Sequence, residues 1–396
     1  MTLAERTKKL KSFFSLDKNS MIDDEPIDIR TFYFEGKLGH ENIMKMRRLI
    51  KTTEFCSESD NDITQNRNFR YSIFTPRSSN KFDKAILLLH GLNERSWEKY
   101  LTWAEYLTLH INRPVILFPI AFHMNRTPQT WIQPRWAMAW SNKRREENSL
   151  VKNSTFCNMA LSERISQSPL RFYVSGRESV FNITQLLLEI ENGENDLFAK
   201  NTHIDIFSYS IGTFISQVLL MSNPSNVVPD TKLFSFCGGS IFEDMNGSAK
   251  DIMDNVAFNS LKEFYLNHFL YNDFEGYSPE LFQNDDIEIA FRRLISTNMH
   301  KTERENMFKS MVGRIKMITL KKDKVIPTKG AISAVGEALK DDMLKEVDFP
   351  YSYSHQIPFP MGTKINADQV KKSFLSIFEP AVAFFSENFI PLHMSK

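Results

Sequence analysis

Three short stretches of this chain carry residue types that together make an activated nucleophile. The first is Ser208-Tyr209-Ser210-Ile211-Gly212. It lies where a strand-like run (202–210) passes directly into the helical run IGTFISQVLLMS. Small residues at 208 and 212 let strand and helix backbones come close, so a tight turn can lift the Ser210 hydroxyl clear of a sheet. The helix start also offers an unpaired N–H, from Ile211, to a developing oxyanion. The second stretch is Asp323-Lys324-Val325-Ile326-Pro327, at the end of another apolar run, with Pro327 suited to open a helix. The third is Tyr353-Ser354-His355, just after the last such run. A serine, a carboxylate and a histidine on loops at one sheet edge suit acyl chemistry. The histidine takes the serine proton, and the carboxylate orients the histidine. S-x-S-x-G alone is a weak signal, since a capped helix start produces the same letters; the ordered set of three segments carries the reading.

The elements that must position these residues alternate. IDIRTFYFEG (27–36) and FRYSIFTP (69–76) read as strands, with a polar loop between them. DKAILLLHGLNE (83–94) holds a continuous apolar run ended by a glycine turn, the pattern of a strand buried on both faces of a parallel sheet. SWEKYLTWAEYLTLHI has helical spacing, and RPVILFPIAF is a further buried strand. Residues 175–192 read as an amphipathic helix with Ser175 as its cap, followed by the strand at 202–210 and its helix. Strands at 231–240, 314–323 and 345–351, a helix around 328–340 and a helix over 366–390 capped by Asn366 complete the series. Residues 1–26 read as a helix plus a loose arm. Strand–helix alternation with apolar strands predicts an α/β fold with a mostly parallel sheet. Residues 124–174 and 243–312 are too long for ordinary connections, and they follow strands where α/β enzymes place substrate-facing structure.

At this point the chain resembles the α/β-hydrolase superfamily. The resemblance rests on the S-x-S-x-G turn in place of G-x-S-x-G, the order serine, aspartate, histidine, the D-x-V-I-P run and the His90-Gly91 turn. It spans about residues 65–395. It implies a mostly parallel central sheet flanked by helices, with a helical cap inserted. Ser210 is then the nucleophile, His355 the general base and Asp323 the acid that orients it. The N–H groups of Leu92 and Ile211 form the oxyanion hole. Ser208 departs from the first glycine of the pattern but is small enough for the turn. Some members of the superfamily place the acid one strand earlier, which leaves Glu243 and Asp244 as alternatives to Asp323. The implied layout is an N-terminal extension with an early strand (1–64), a core (65–242 and 313–396, with the insertion 124–174) and a helical cap (243–312).

His90, His123, Trp136 and Tyr209 are candidates to line a substrate pocket. For His90 a supporting role in the oxyanion turn is the plainer reading, and for His123 an ordinary satisfied histidine. Trp136 and Trp140 share a helix face and fit packing as well as substrate lining. Phe242, Phe264, Tyr265, Phe269, Leu270 and Tyr271 are expected to give the cap its apolar surface. The expected reaction is hydrolysis of a carboxylic ester through an acyl-enzyme, with activity rising with pH as His355 becomes neutral. Acyl transfer, amide or peptide cleavage, and a hydrolase-like fold reused for binding remain open.

Composition narrows the other classes. In 396 residues, Lys+Arg is 49 and Asp+Glu 48, a net charge of +1, so nothing in the total suggests a concentrated basic face for nucleic acid. Phe numbers 33 against 14 Gly, which points to an aromatic core and excludes glycine-repeat architectures. Cys56, Cys157 and Cys237 are far apart and odd in number, as free thiols would be, and no cluster has metal-ligand spacing. No nucleotide-binding glycine motif is present, so no cofactor is expected. The N-terminal stretch lacks an apolar signal run and no segment is long enough to span a bilayer, so a cytoplasmic location is expected.

Overall fold

Nine strands pair into one sheet in the order β1-β2-β3-β5-β4-β6-β7-β8-β9. They are β1 (Ser20–Met21), β2 (Ile27–Glu35), β3 (Asn68–Pro76), β4 (Phe82–Leu89), β5 (Val115–Leu117), β6 (Phe198–Tyr209), β7 (Leu233–Phe236), β8 (Ile315–Leu320) and β9 (Leu344–Val347). The computed structural model describes residues 1–21, 25–50, 55, 58–271, 283–362 and 364–387. The pairings β1·β2, β2·β3 and β3·β5 are antiparallel; all five from β5 through β4 to β9 are parallel. The chain has the α/β-hydrolase fold.

The continuous apolar runs follow from burial on both faces. Along β4, Ala85, Leu87 and Leu89 enter one core layer while Ile86 and Leu88 enter the other. The first layer takes the helices Leu170–Glu191 and Ile211–Ser222; the second takes Glu98–Ile111 and Ala367–Ser386. Asn366 caps the last of these, accepting from the N–H groups of Asp368 and Gln369. The second layer is aromatic-heavy: Trp103 lies within 6.1 Å of the rings of Tyr209, Phe207, Phe236, Phe359 and Phe378. No helix among the described residues is long and apolar enough to cross a membrane.

The N-terminal residues join this body. Nine residue pairs register β2 against β3, and Leu10, Ile27 and Ile29 are buried in the second layer. The helix Leu3–Phe13 begins with a reciprocal Thr2–Glu5 cap, and Arg6 bonds Glu105 at 2.9 Å and Glu25 at 2.7 Å.

Several boundaries differ from the sequence reading. Ser175 is not a cap: the helix starts a turn earlier, after Pro169, and runs Leu170–Glu191 with Ser175 inside it. Pro169 opens that helix as well as a polar cap would, since its missing N–H needs no partner there. The apolar run after Pro114 pairs only over Val115–Leu117, because β3 and β4 flank it for three residues and the chain then turns at Ala121–Phe122. The final helix is described to Ser386; residues 388–390 of its expected span, and Cys56, lie outside the described residues.

Candidate active site

β6 runs twelve residues and ends at Tyr209; Ser210 then adopts φ 55°, ψ −122°, and the helix starts at Ile211. A non-glycine residue in that region of backbone space costs about 1–3 kcal/mol and persists only where the surroundings fix it. Here they do. A Cβ on Gly212 would meet Leu89 O and His90 O at 2.9 Å, so only glycine lets the helix start lie against the end of β4. Ser208, buried below the turn, bonds Thr213 Oγ1 at 2.9 Å, which bonds Ser235 Oγ at 2.8 Å. The hydroxyl at 208 therefore ties strand, helix and the neighbouring β7 together.

Ser210 Oγ lies 2.7 Å from His355 Nε2, and His355 Nδ1 lies 2.7 Å from Asp323 Oδ2. A carboxylate accepts only, so Nδ1 carries the ring proton and Nε2 presents its lone pair to the Ser210 hydroxyl. Asp323 Oδ1 accepts from the N–H groups of Val325 and Ile326 at 2.8 and 2.9 Å, which fixes the carboxylate against rotation. Glu243 is occupied elsewhere, accepting from Thr297 N and Ser296 Oγ, and among the described residues neither it nor Asp244 bonds His355.

The His loop is held from beneath. The Tyr209 hydroxyl donates to the His355 carbonyl, and its ring stacks on the His355 ring at 5.5 Å. Lys99 Nζ donates to the Gln356 carbonyl at 3.0 Å, pairs with Glu94, and sits 4.6 Å over the Tyr209 ring. Burial pushes the Tyr209 phenol well above its ordinary range, so it stays a donor. Lys99, in the first turn of the helix Glu98–Ile111, and Glu94, in the loop before it, belong to no motif that marks them in the sequence. Cys237, which follows β7 with φ 50°, offers its Sγ within 4.8 Å of the Asp323 and His355 ligand atoms. Burial holds that thiol protonated.

The turn after β4 is equally fixed. Gly91 N–H donates to the Tyr100 hydroxyl at 2.9 Å, and that hydroxyl donates to Glu94 at 3.0 Å. No hydrogen bond among the described residues takes the N–H of Leu92 or of Ile211. His90 is fully buried behind the turn. Its Nδ1–H donates to Gly91 O at 2.8 Å, and its Nε2 accepts from Ile120 N–H at 3.1 Å. His123 donates Nδ1–H to Ala121 O at 2.8 Å.

Two cavities meet at this turn. One, of about 420 Å³ with its open side included, reaches Ser210 and is walled by Phe242, Met253, Phe258, Leu261, Val325 and Ile326. The other, of about 900 Å³ on the same measure, is walled by Ile120, His123, Trp131, Leu161, Phe214 and Phe291 among others. Leu92, Phe172 and Ile211 border both. Of the four candidate lining residues, only His123 borders a cavity. Trp136 instead packs on Phe55 at 4.6 Å; Trp131 takes the wall position because it precedes the helix Pro134–Glu147 and turns inward. Tyr209 and His90 lie beneath the site. Phe264, Tyr265, Phe269 and Leu270 are core packing around Phe172, Tyr173 and Phe291, and Tyr271 is exposed. Of the aromatics expected in the cap, Phe242 alone borders a cavity, and Phe258 joins it.

Burial pushes both His90 and His123 down from 6.5, His123 to about 4. Below about pH 6.5 the unfolded chain binds protons that the folded one refuses, so acidification costs stability, up to about 1.4 kcal/mol per pH unit for each ring. Thermal unfolding at about pH 7 and about pH 5 should therefore show a smaller loss of Tm in His123→Phe than in the native chain. Equal losses would mean that His123 is not held neutral by the fold.

The model of a family of unknown function, DUF6051, matches residues 1–386. The chain belongs to that family. No curated protein matches it in sequence. Among solved structures it is similar to carboxyl esterase 2 of the mycorrhizal fungus Tuber melanosporum. The identity is 10%, with 96% of each chain covered and a TM-score of 0.45. It is also similar to vibralactone cyclase, at 11% identity, 97% of this chain, 86% of that one and a TM-score of 0.47. A third likeness is to an esterase of the archaeon Pyrobaculum calidifontis, at 10% identity, 96% and 89% coverage and a TM-score of 0.41.

Proposed function

We propose that this protein is a serine hydrolase that cleaves a carboxylic ester with an apolar acyl or aryl part. The observation that carries the reading is the continuous chain Ser210 Oγ–His355 Nε2 and His355 Nδ1–Asp323 Oδ2, at 2.7 Å in both links, set on a positive-φ turn. In this reading His355 takes the Ser210 proton as Oγ attacks the ester carbonyl. The oxyanion is received by the N–H groups of Leu92 and Ile211. His355 then protonates the leaving alcohol, and water, activated by the same ring, releases the acid and restores Ser210. Asp323 holds the ring in the required tautomer and stabilises the imidazolium.

Residues 243–271 and 283–312 act as a cap over the site and 124–174 as its second wall; residues 272–282 of the expected cap lie outside the described residues. The support is that Met253, Phe258 and Leu261 line the cavity at Ser210, while Trp131, Leu161 and Phe172 line the larger one. The two insertions are stitched together: Arg144 pairs with Asp254 at 2.6 Å, and Thr155 Oγ1 donates to Lys250 O at 2.6 Å. Asn93, next to Leu92, donates to Cys157 O and Asp251 O, both at 2.8 Å, and so binds the oxyanion turn to both insertions.

Apolar walls favour apolar substrates by about 0.8 kcal/mol per buried methylene, about fourfold in kcat/KM. In a series of p-nitrophenyl alkanoates, kcat/KM should climb from acetate and level off only when the cavities fill. A flat series, or turnover only of charged or peptide substrates, would remove the apolar-ester reading.

A further inference from the structure

The turn after β4 and the loop of His355 are joined by a path that does not pass through the triad. Gly91 N–H, beside Leu92, donates to the Tyr100 hydroxyl at 2.9 Å, and that hydroxyl donates to Glu94 Oε1 at 3.0 Å. Glu94 Oε1 also pairs with Lys99 Nζ. Lys99 Nζ in turn donates to the Gln356 carbonyl at 3.0 Å, one residue past His355. That carbonyl has no other donor among the described residues. One line of hydrogen bonds thus runs through Gly91, Tyr100, Glu94, Lys99 and Gln356.

Each end of the line is firm in itself. The Glu94 carbonyl accepts from Met124 N–H at 3.1 Å. Residues 354–357 close on themselves, with Ile357 N–H on Ser354 O at 3.2 Å, and the Tyr209 hydroxyl ties the His355 carbonyl to β6. Lys99 alone ties this closed turn to the oxyanion turn. The helix gains nothing from the charge. Lys99 is the second residue of Glu98–Ile111, and a cation in the first turn faces the positive end of the helix dipole. Its ammonium instead meets a carboxylate, a loop carbonyl and the rings of Tyr100 at 5.1 Å and Tyr209 at 4.6 Å. Those contacts hold one rotamer of a side chain that is otherwise flexible.

Resting on the hydrolase reading above, we propose that Lys99 is a positioning residue. It fixes the loop of the base to the turn of the oxyanion N–H groups. His355 and Leu92 then keep the spacing at which Ser210 Oγ loses its proton while the carbonyl oxygen it attacks is received. Lys99 touches neither the ester nor the reacting atoms and acts through Gln356 and Glu94.

The test is steady-state hydrolysis of p-nitrophenyl butyrate by the full chain, with active sites counted by fluorophosphonate labelling carried to completion. Counting makes kcat independent of any unfolded fraction. Lys99→Met keeps the stem and removes the ammonium. It should lower kcat about tenfold or more with KM within about twofold, because a displaced base weakens the transition state and not the bound ester. The rate of labelling should fall by a similar factor, since phosphonylation uses the same base and N–H groups. Lys99→Arg keeps the charge and a donor for each partner, and should recover most of the loss. Glu98→Gln, in the same helix turn, loses an exposed pair with Lys11 and bonds no residue of the His loop, so it should keep the native kcat. A native kcat in Lys99→Met, a loss that Lys99→Arg does not relieve, or an equal loss in Glu98→Gln would each overturn the proposal, while labelling of the native protein leaves the hydrolase reading standing. If the native protein takes no label, it is the hydrolase reading that fails. Should Lys99→Met not fold, Lys99→Gln, polar but too short for both contacts, carries the same expectation.

Discussion

Ser210→Ala should lower turnover of a p-nitrophenyl ester by about 10⁴-fold or more while leaving the fold intact. The size of the loss follows from the geometry. Without Oγ there is no nucleophile for His355 to activate, and what remains is the contribution of the oxyanion N–H groups and of binding. The fold should survive because the hydroxyl's partner is His355, whose ring keeps its bond to Asp323, whereas the turn is held by Gly212, Ser208 and Thr213. Alanine at φ 55° bears the same backbone strain as serine, so a small change in Tm is expected. Steady-state kinetics with circular dichroism on the same preparation checks both parts. Near-native turnover in a folded Ser210→Ala would place the nucleophile elsewhere.

Asp323→Asn should cost about 10³–10⁴-fold in turnover. The amide that replaces Oδ2 presents either N–H against the ring N–H or a weaker acceptor, so His355 loses both its tautomer and the charge that steadies its imidazolium. Oδ1 is pinned by Val325 and Ile326 N–H, so the carbonyl of the new amide should occupy that position and leave NH₂ facing His355. Asp244→Asn should leave turnover within a few-fold, since Asp244 makes no bond to the ring among the described residues. The reverse result, damage at 244 and tolerance at 323, would overturn the assignment.

What could be read in the sequence, and what could not, divides along physical lines. Ala85–Leu89 was legible because a strand buried on both faces must be apolar without interruption. Ser210, Asp323 and His355 were legible as candidates because each lies on the loop or turn that follows a strand, and strands show in local composition. The boundary at Ser175 was misread because a serine in a helix interior looks like a cap until the preceding proline is considered. Helical spacing shows that Trp136 and Trp140 share a face but not what that face meets; only tertiary packing puts Phe55 against Trp136. Tyr209, a candidate lining residue by its place in the turn, is packed in the core, and its hydroxyl reaches the backbone of a loop 146 positions away. Lys99 carries no motif, and its bond to the Gln356 carbonyl, 257 positions away, leaves no local trace.

The measurement that bears most directly on the central claim is fluorophosphonate labelling of the native protein, followed by mass spectrometry of its peptides. On the proposed reading, Ser210, with His355 Nε2 2.7 Å from its hydroxyl and the unbonded N–H groups of Leu92 and Ile211 beside it, should form one phosphonyl adduct, on the peptide containing Ser210. That adduct should be absent in Ser210→Ala and greatly slowed in Asp323→Asn. A folded native protein that takes up no label, or takes it at a residue other than Ser210, would contradict the account.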